Sequence, residues 1–242
     1  MTKLVSNSIV QKVITLAIAY SLTWPIPALA VCERPHPPVC AEFFHRDAVF
    51  VGTVISSRHR SEGEDPGWFY ALRVTSVFRG VVPPVVKVFT EDSSARFPLK
   101  VNQSYLLFAS SSHFDRLEID NCGNSVELAK AGGAIRQLEQ IQSLAKSGAD
   151  GYVAGGVMRW DGSPNTPIAG VSISAQRGGK NYKTVTGANG WFHIDLPAGK
   201  YALSAESSEW SIVPYDLTYD DPSEVVIQPS GCAVVQFGAV PK

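Results

Sequence analysis

Five histidines, four cysteines and a few clustered acids are the side chains of this 242-residue chain with the chemistry to ligate or catalyse. His36 lies in a proline-rich lead, His45 before the first strand, His59 in a basic loop, His113 in a turn and His193 on a strand. None forms His-Glu-x-x-His or another ligand-spaced pair, so no metal site is expected. His193 alternates away from Phe192 and Ile194 and reads as a solvated strand position. Glu62, Glu64 and Asp65 form an acidic hairpin tip beside Arg58, His59 and Arg60, the pattern of a solvated loop. Asp220-Asp221 beside Pro222 lacks the alternating acidic ladder of a calcium loop. Gly178-Gly179-Lys180 lacks the other residues of a phosphate loop and sits in a hairpin. No Gly-x-Ser-x-Gly occurs, and no serine has a recognisable base partner. These residues specify no reaction and no cofactor, and the expectation is a protein that is not an enzyme.

The cysteines are Cys32, Cys40, Cys122 and Cys232. An even count on an exported chain favours disulfides, and four cysteines allow three connectivities. Zinc would want close Cys-x-x-Cys pairs, whereas Cys32 and Cys40 are separated by Pro35, Pro37 and Pro38. Export is read from residues 1–30, expected to be a signal peptide. Lys3 and Lys12 give a positive start, Val13 to Trp24 is an apolar run, and Ala28-Leu29-Ala30 precedes a cleavage site. The run is shorter than the roughly 20 residues of a spanning helix. Leu29-Ala30-Val31-Cys32 resembles a bacterial lipoprotein box, but Val31 is larger than the residue usual there, which favours plain cleavage. The expected location is secreted, periplasmic or extracellular, with no membrane span after cleavage. Cleavage removes two of 21 basic residues and none of 22 acidic ones, leaving 19 − 22 = −3. A near-neutral surface gives no electrostatic footprint for nucleic acid or anionic lipid.

The elements that must position any site are mostly strands. Between Thr184 and Glu206, turn signals at Gly187–Gly190 and Pro197–Gly199 separate three alternating runs: Val185; Phe192, Ile194 and Leu196; Tyr201, Leu203 and Ala205. That spacing predicts antiparallel strands of a small β-sandwich. The strongest helical pattern begins near Ser125, with Leu128, Ala131, Ile135, Leu138, Ile141, Leu144 and Ala145 on one stripe. Gly132-Gly133 is expected to weaken its middle, while Lys146 and Gly148 suit its end. After Ala149-Asp150 the pattern changes to period two, which places a boundary between domains 31–148 and 151–242.

In the first domain, Ala41 to Arg46 reads as a short helix. Strands are predicted at Ala48–Ile55, Phe69–Phe78, Val85–Thr90, Ser104–Ala109 and Leu117–Ile119. Tyr70, Leu72, Val74 and Phe78 are expected on one face, and Tyr105-Leu106-Leu107-Phe108 suits a strand covered on both sides. Five antiparallel strands and a terminal helix suit a closed barrel of the oligonucleotide/oligosaccharide-binding (OB) kind. In the second domain, strands are predicted at Tyr152–Arg159 and Val171–Gln176 with a turn through Asp161–Pro164. The class is mainly β: an OB-like five-stranded barrel with a C-terminal helix, then a seven- or eight-stranded Ig/transthyretin-like sandwich.

Two resemblances sharpen this reading. Val39-Cys40-Ala41-Glu42-Phe43-Phe44-His45-Arg46-Asp47-Ala48-Val49-Phe50-Val51-Gly52-Thr53-Val54 resembles the opening of netrin-like domains, the fold of the tissue inhibitors of metalloproteinases. Val74–Gly80, Ser104–Ala109 and Cys122 continue it over most of residues 32–146. Pro167-Ile168-Ala169-Gly170-Val171, Gly190-Trp191-Phe192 and Leu196–Tyr201 are similar to the carboxypeptidase regulatory-like, or transthyretin-like, sandwich. The netrin-like resemblance implies Cys32–Cys122, which leaves Cys40 for Cys232 as a bond between domains. It also departs from the eukaryotic inhibitors. Ala30 stands where their zinc-chelating cysteine belongs, and Asp92-Ser93-Ser94-Ala95 lacks that cysteine's partner.

The function expected is extracytoplasmic binding or scaffolding, with the protein or glycan partner unspecified. One alternative is a protease inhibitor that uses the ridge Val31, Cys32 and Glu33. Another is a carbohydrate-binding accessory module. Trp160, Trp191, Trp210, Tyr215 and Tyr219 lie in or beside turns, and Trp191 and Trp210 are the candidates for stacking on a ligand.

Overall fold

Leu106 and Phe108 point to one side of their strand and Tyr105, Leu107 and Ala109 to the other, and both sides are covered. This one strand organises the N-terminal half of the protein. A computed structural model describes residues 32, 36–62, 65–112, 116–160, 166–215 and 219–242. The expected signal peptide, Val31 and Glu33 of the ridge, Glu64, His113 and the Asp161–Pro164 turn lie outside the described residues.

The first sheet contains β1 (Ala48–Arg60), β2 (Gly67–Arg79), β3 (Val85–Glu91), β4 (Ser104–Ser111), β5 (Leu117–Glu118) and β6 (Val126–Glu127). Its order is β1-β2-β3-β5-β4-β6, and β1 also pairs with β4, so the ladder returns on itself. Phe50, Val54, Leu72, Val88 and Leu107 fill its interior. Val49, Val51, Leu106 and Phe108 face outward beneath two helices, α1 (Val39–His45) and α2 (Gly132–Ala145).

Several expectations are corrected. The β3–β5 pairing is parallel rather than antiparallel. β6 is an additional strand, placed where helix was expected to begin. There the Phe108 N–H donates to Ser125 Oγ at 3.0 Å, and a single 3-10 turn at Leu128–Lys130 precedes α2. Gly132-Gly133 therefore occupies the first turn of α2 rather than its middle. β1 and β2 run on as a ribbon reaching Arg60 opposite Gly67, with the β1 side chains exposed and those of β2 partly covered. Stacking of His59 on Trp68 (4.8 Å) and of the Arg60 guanidinium on Phe69 (5.1 Å) supports that ribbon. Phe78 does not share the face of Tyr70, Leu72 and Val74. Register shifts along β1–β2 turn it to the helix side, where its carbonyl accepts from Gln142 Nε2 at 2.7 Å.

The C-terminal half holds two four-stranded sheets. One has order β10-β7-β14-β12, from Trp191–Leu196, Gly151–Arg159, Cys232–Pro241 and Trp210–Pro214. The other has order β13-β11-β8-β9, from Val225–Ile227, Gly199–Glu206, Ser172–Arg177 and Lys180–Val185. Val153, Val157, Phe192, Leu196, Val235 and Phe237 from the first meet Ile173, Tyr201, Leu203 and Ile227 from the second in one cluster. β7 and β14 pair in parallel, again unlike the antiparallel expectation. Gly178 and Gly179, at φ of 52° and 78°, make the two-residue turn of the β8–β9 hairpin.

The Thr184–Glu206 stretch does not form successive hairpins. β9 and β11 belong to one sheet and β10 to the other, so both turns carry the chain across the core. Gly190 makes the first crossing at a φ of 73°, where a Cβ would lie 2.8 Å from the Val157 carbonyl oxygen. Val185 is correspondingly exposed, and Thr186 is buried instead. The Thr186 hydroxyl accepts from Val171 N at 2.9 Å and donates to the Ile168 carbonyl at 2.8 Å.

Cys32 is bonded to Cys122 and Cys40 to Cys232. The second bond fastens α1 to β14, where Ala41, Cys232 and Val234 form a small buried cluster. Val31–Lys242 is a single compact unit.

Candidate functional site

Alternation along β7 and β14 creates two unlike faces. Val153, Gly155, Val157, Val235 and Phe237 point into the core, while Tyr152, Ala154, Val234 and Gln236 point out. Gly155 is required by close approach, because a Cβ there would lie 2.8 Å from the Phe192 ring and overlap the Val235 carbonyl oxygen. On the outer face, Ala154 is too small to fill the surface between larger neighbours. The result is a groove of about 350 Å³ lined by His36, Pro37, Pro38, Tyr152, Ala154, Trp191, Tyr219, Val234 and Gln236.

Its walls come from both halves of the protein and are fixed by specific contacts. Pro37 and Pro38 lead into α1, whose Cys40 is bonded to Cys232. His36 is held by a 2.7 Å contact from Nε2 to the Gly123 carbonyl oxygen. Tyr152 places its hydroxyl 3.2 Å from Cys40 Sγ and its ring 4.7 Å from that of His193. Burial raises the Tyr152 phenol above its ordinary value. His45 packs edge-on against Tyr219 at 4.9 Å, and its Nε2 lies 2.6 Å from Asp220 Oδ1. The other Asp220 oxygen accepts from Val234 N at 2.6 Å, within the floor itself.

Behind this wall lies a buried charge network. Glu42 is fully buried on α1, and its Oε1 accepts from Arg46 Nε at 2.8 Å. Its Oε2 accepts from Asn124 N at 2.5 Å and from Asn124 Nδ2 at 2.7 Å. Burial pulls the Arg46 value down, but the Glu42 and Asp120 charges more than offset this, and the net shift is upward. The network thus ties α1 to the same loop that Cys32 reaches through Cys122. A polar cleft of about 460 Å³ lies beside Arg46 and Arg116. Arg116 pairs with Asp65 and Glu118 and stacks over Phe89 at 3.8 Å. Both guanidinium groups in that cleft already have carboxylate partners.

The structure separates the two proposed stacking tryptophans. Trp191 is 44% exposed and lines the groove, with Tyr219 of the aromatic set. Trp210 lies at the far edge of the sheet, packs on the core and sits 5.6 Å from the Arg159 guanidinium. Trp160 and Tyr215 pack against each other at 5.4 Å. Tyr152 and Gln236 were not singled out by sequence reasoning, which weighed His36 only as a metal ligand and Pro37 and Pro38 only as spacers between cysteines. The outward parity of Tyr152, opposite Val153, was the signal available for it.

The other residues with chemical potential are dispersed. His59 pairs with Asp92 at 3.0 Å and His193 with Asp195 at 3.0 Å. Asp65 is not free in solvent as the loop reading had it, because it docks on Arg116. Asp221 caps a 3-10 turn by accepting from Ser223 N at 2.8 Å, and that bond lowers its value. Among the described residues, no three His, Cys, Asp or Glu side chains are grouped to hold a metal ion. The groove offers ring faces for stacking and a few polar groups at its margin, which suits binding. No protein-family model matches this chain, and neither does any curated protein.

Proposed function

We propose that this chain is an exported binding protein without catalytic activity, which captures an extracytoplasmic partner in the groove beside Trp191. In this reading residues 31–148 are a netrin-like domain of the OB kind, and residues 151–242 a carboxypeptidase regulatory-like sandwich. The closed order β1-β2-β3-β5-β4-β1, with helices over its outer face, supports the first assignment. Two four-stranded sheets sharing one core support the second. Two disulfides suit an oxidising compartment, and among the described residues no helix is long and apolar enough to cross a membrane.

The observation that carries the proposal is the groove's construction. Its floor belongs to β7 and β14, one wall belongs to the lead into α1, and the Cys40–Cys232 bond locks these parts together. Such preorganisation lowers the entropy lost when a ligand is captured. A glycan is favoured within this reading by the half-exposed Trp191 indole with Tyr152 and Tyr219 along the same groove. Glycan arrays and pull-downs with the oxidised protein test it, with Trp191→Ala as the control. Capture that is equally strong in Trp191→Ala overturns the assignment of binding to this groove.

A further inference from the structure

We propose a second binding surface, for an anionic phospholipid bilayer, at the loop between β2 and β3. Gly80-Val81-Val82-Pro83-Pro84-Val85 carries the most exposed apolar side chain among the described residues, Val81, at 103%. Val85 is 54% exposed and Val77 42% exposed. The loop itself is firmly held. Val82 turns inward onto the closed-ladder core, and Val74 N donates to the Pro84 carbonyl at 2.9 Å. Gly80, at a φ of 81°, packs so closely on the backbone at Asp47 that a side chain there would overlap the Asp47 carbonyl oxygen. Val81 is therefore displayed by a rigid support.

Two features favour a lipid surface over a protein partner. Pro83 and Pro84 have no N–H, so the tip carries fewer donors that lose water on entering the headgroup region. A protein interface of standard size buries about 800 Å² per partner, several times what the fully exposed Val81 and half-exposed Val85 present. Charge then selects the lipid. Arg73 is exposed directly across from Val85, and Lys87 is exposed two residues further along β3. The adjoining groove, about 450 Å³, is lined by Val81, Pro83, Val85, Lys87, Ser111 and Leu117 among others, and none of its described lining residues is acidic. Asp47, the carboxylate next to the loop, is tied back to Ser111 N at 2.7 Å, and Arg73 and Lys87 supply the cationic rim beside Val81 and Val85. Apolar insertion combined with basic residues is the pairing that holds peripheral proteins at anionic membranes.

Co-sedimentation of the oxidised protein, purified from an exporting host, tests the proposal. The probes are pure phosphatidylcholine vesicles and vesicles with about one-third phosphatidylglycerol, at low and high salt. Partitioning is expected only onto the anionic vesicles, falling as salt rises. Val81→Asp is expected to reduce it at least about tenfold, and Lys87→Ala about fivefold. Val81→Ser provides a milder variant, and unchanged unfolding midpoints show that each variant is folded. No partitioning, equal partitioning onto both vesicle types, or full partitioning by Val81→Asp overturns the proposal. Val81-dependent self-association in light scattering, without vesicle binding, overturns it in favour of a protein interface.

Discussion

Replacing Glu42 by alanine removes the centre of the network that holds α1 in place. Glu42 is fully buried, while Arg46 keeps 18% of its side chain exposed. The variant leaves Arg46 Nε without its 2.8 Å acceptor and strands Asn124 N, while Asn124 Nδ2 keeps the Pro37 carbonyl at 2.9 Å. Breaking a buried pair by removing one partner costs about 3–5 kcal/mol. Arg46 retains Ser110 Oγ at 3.0 Å and Asp120 at 3.4 Å and can turn toward water, which places the loss near the lower limit, about 3 kcal/mol. Glu42→Gln keeps the shape but directs an amide N–H₂ at existing donors, and its loss is about 2 kcal/mol. Urea unfolding of the oxidised protein followed by tryptophan fluorescence measures both. With a slope of about 2 kcal/mol/M, the alanine midpoint falls by about 1.5 M. A Glu42→Ala variant within about 1 kcal/mol of the parent refutes the account of this network.

Other consequences follow from burial. Phe192 is 5% exposed, with its ring on Gly155 and 6.4 Å from Phe237, so Phe192→Ala should cost about 3–5 kcal/mol in chemical denaturation. A loss below about 1 kcal/mol would show that its strand is misplaced. Trp210→Ala should cost about 2 kcal/mol and leave ligand capture intact, whereas Trp191→Ala should cost less than about 1 kcal/mol and abolish capture. The opposite pattern in paired denaturation and pull-down assays would contradict the placement of the groove. Burial raises the Tyr152 and Tyr70 phenols in the folded state. Their contribution is fully present below the unfolded value of about 10 and is lost as pH rises through the folded values. Thermal melts at increasing alkalinity should show a smaller drop for Tyr152→Phe than for the parent, and identical slopes would refute this.

Periodicity revealed the elements whose two faces differ or are both buried. The Tyr105–Phe108 run announced a strand covered on both sides because water is excluded from each. The β1 segment beyond Ile55 left no such trace, since its side chains are exposed and it is held by pairing and ring stacking with β2, whose Trp68 and Tyr70 pack on the core. Phe78 and Val185 were assigned to the wrong faces for one underlying reason. Alternation assumes an unbroken register, and a shift along β1–β2 or a crossing after Val185 reverses which residues point inward. The start of α2 was obscured because Leu128 fits the helical stripe while lying in a 3-10 turn that follows the strand at Val126 and Glu127. The groove was only partly legible. Trp191 stood out by its type, but Tyr152, Gln236 and the Pro37-Pro38 wall meet through pairing and docking across more than a hundred residues of chain. Glu42 gave no warning, since a carboxylate on a short amphipathic segment is ordinarily solvated.

The account depends on α1 being fastened to β14, since that contact builds the groove from both halves of the protein. Peptide mapping of the oxidised protein under non-reducing conditions tests it most directly. Linked peptides containing Cys32 with Cys122 and Cys40 with Cys232 are predicted. A Cys32–Cys40 peptide, or four titratable thiols in freshly isolated protein, would contradict it.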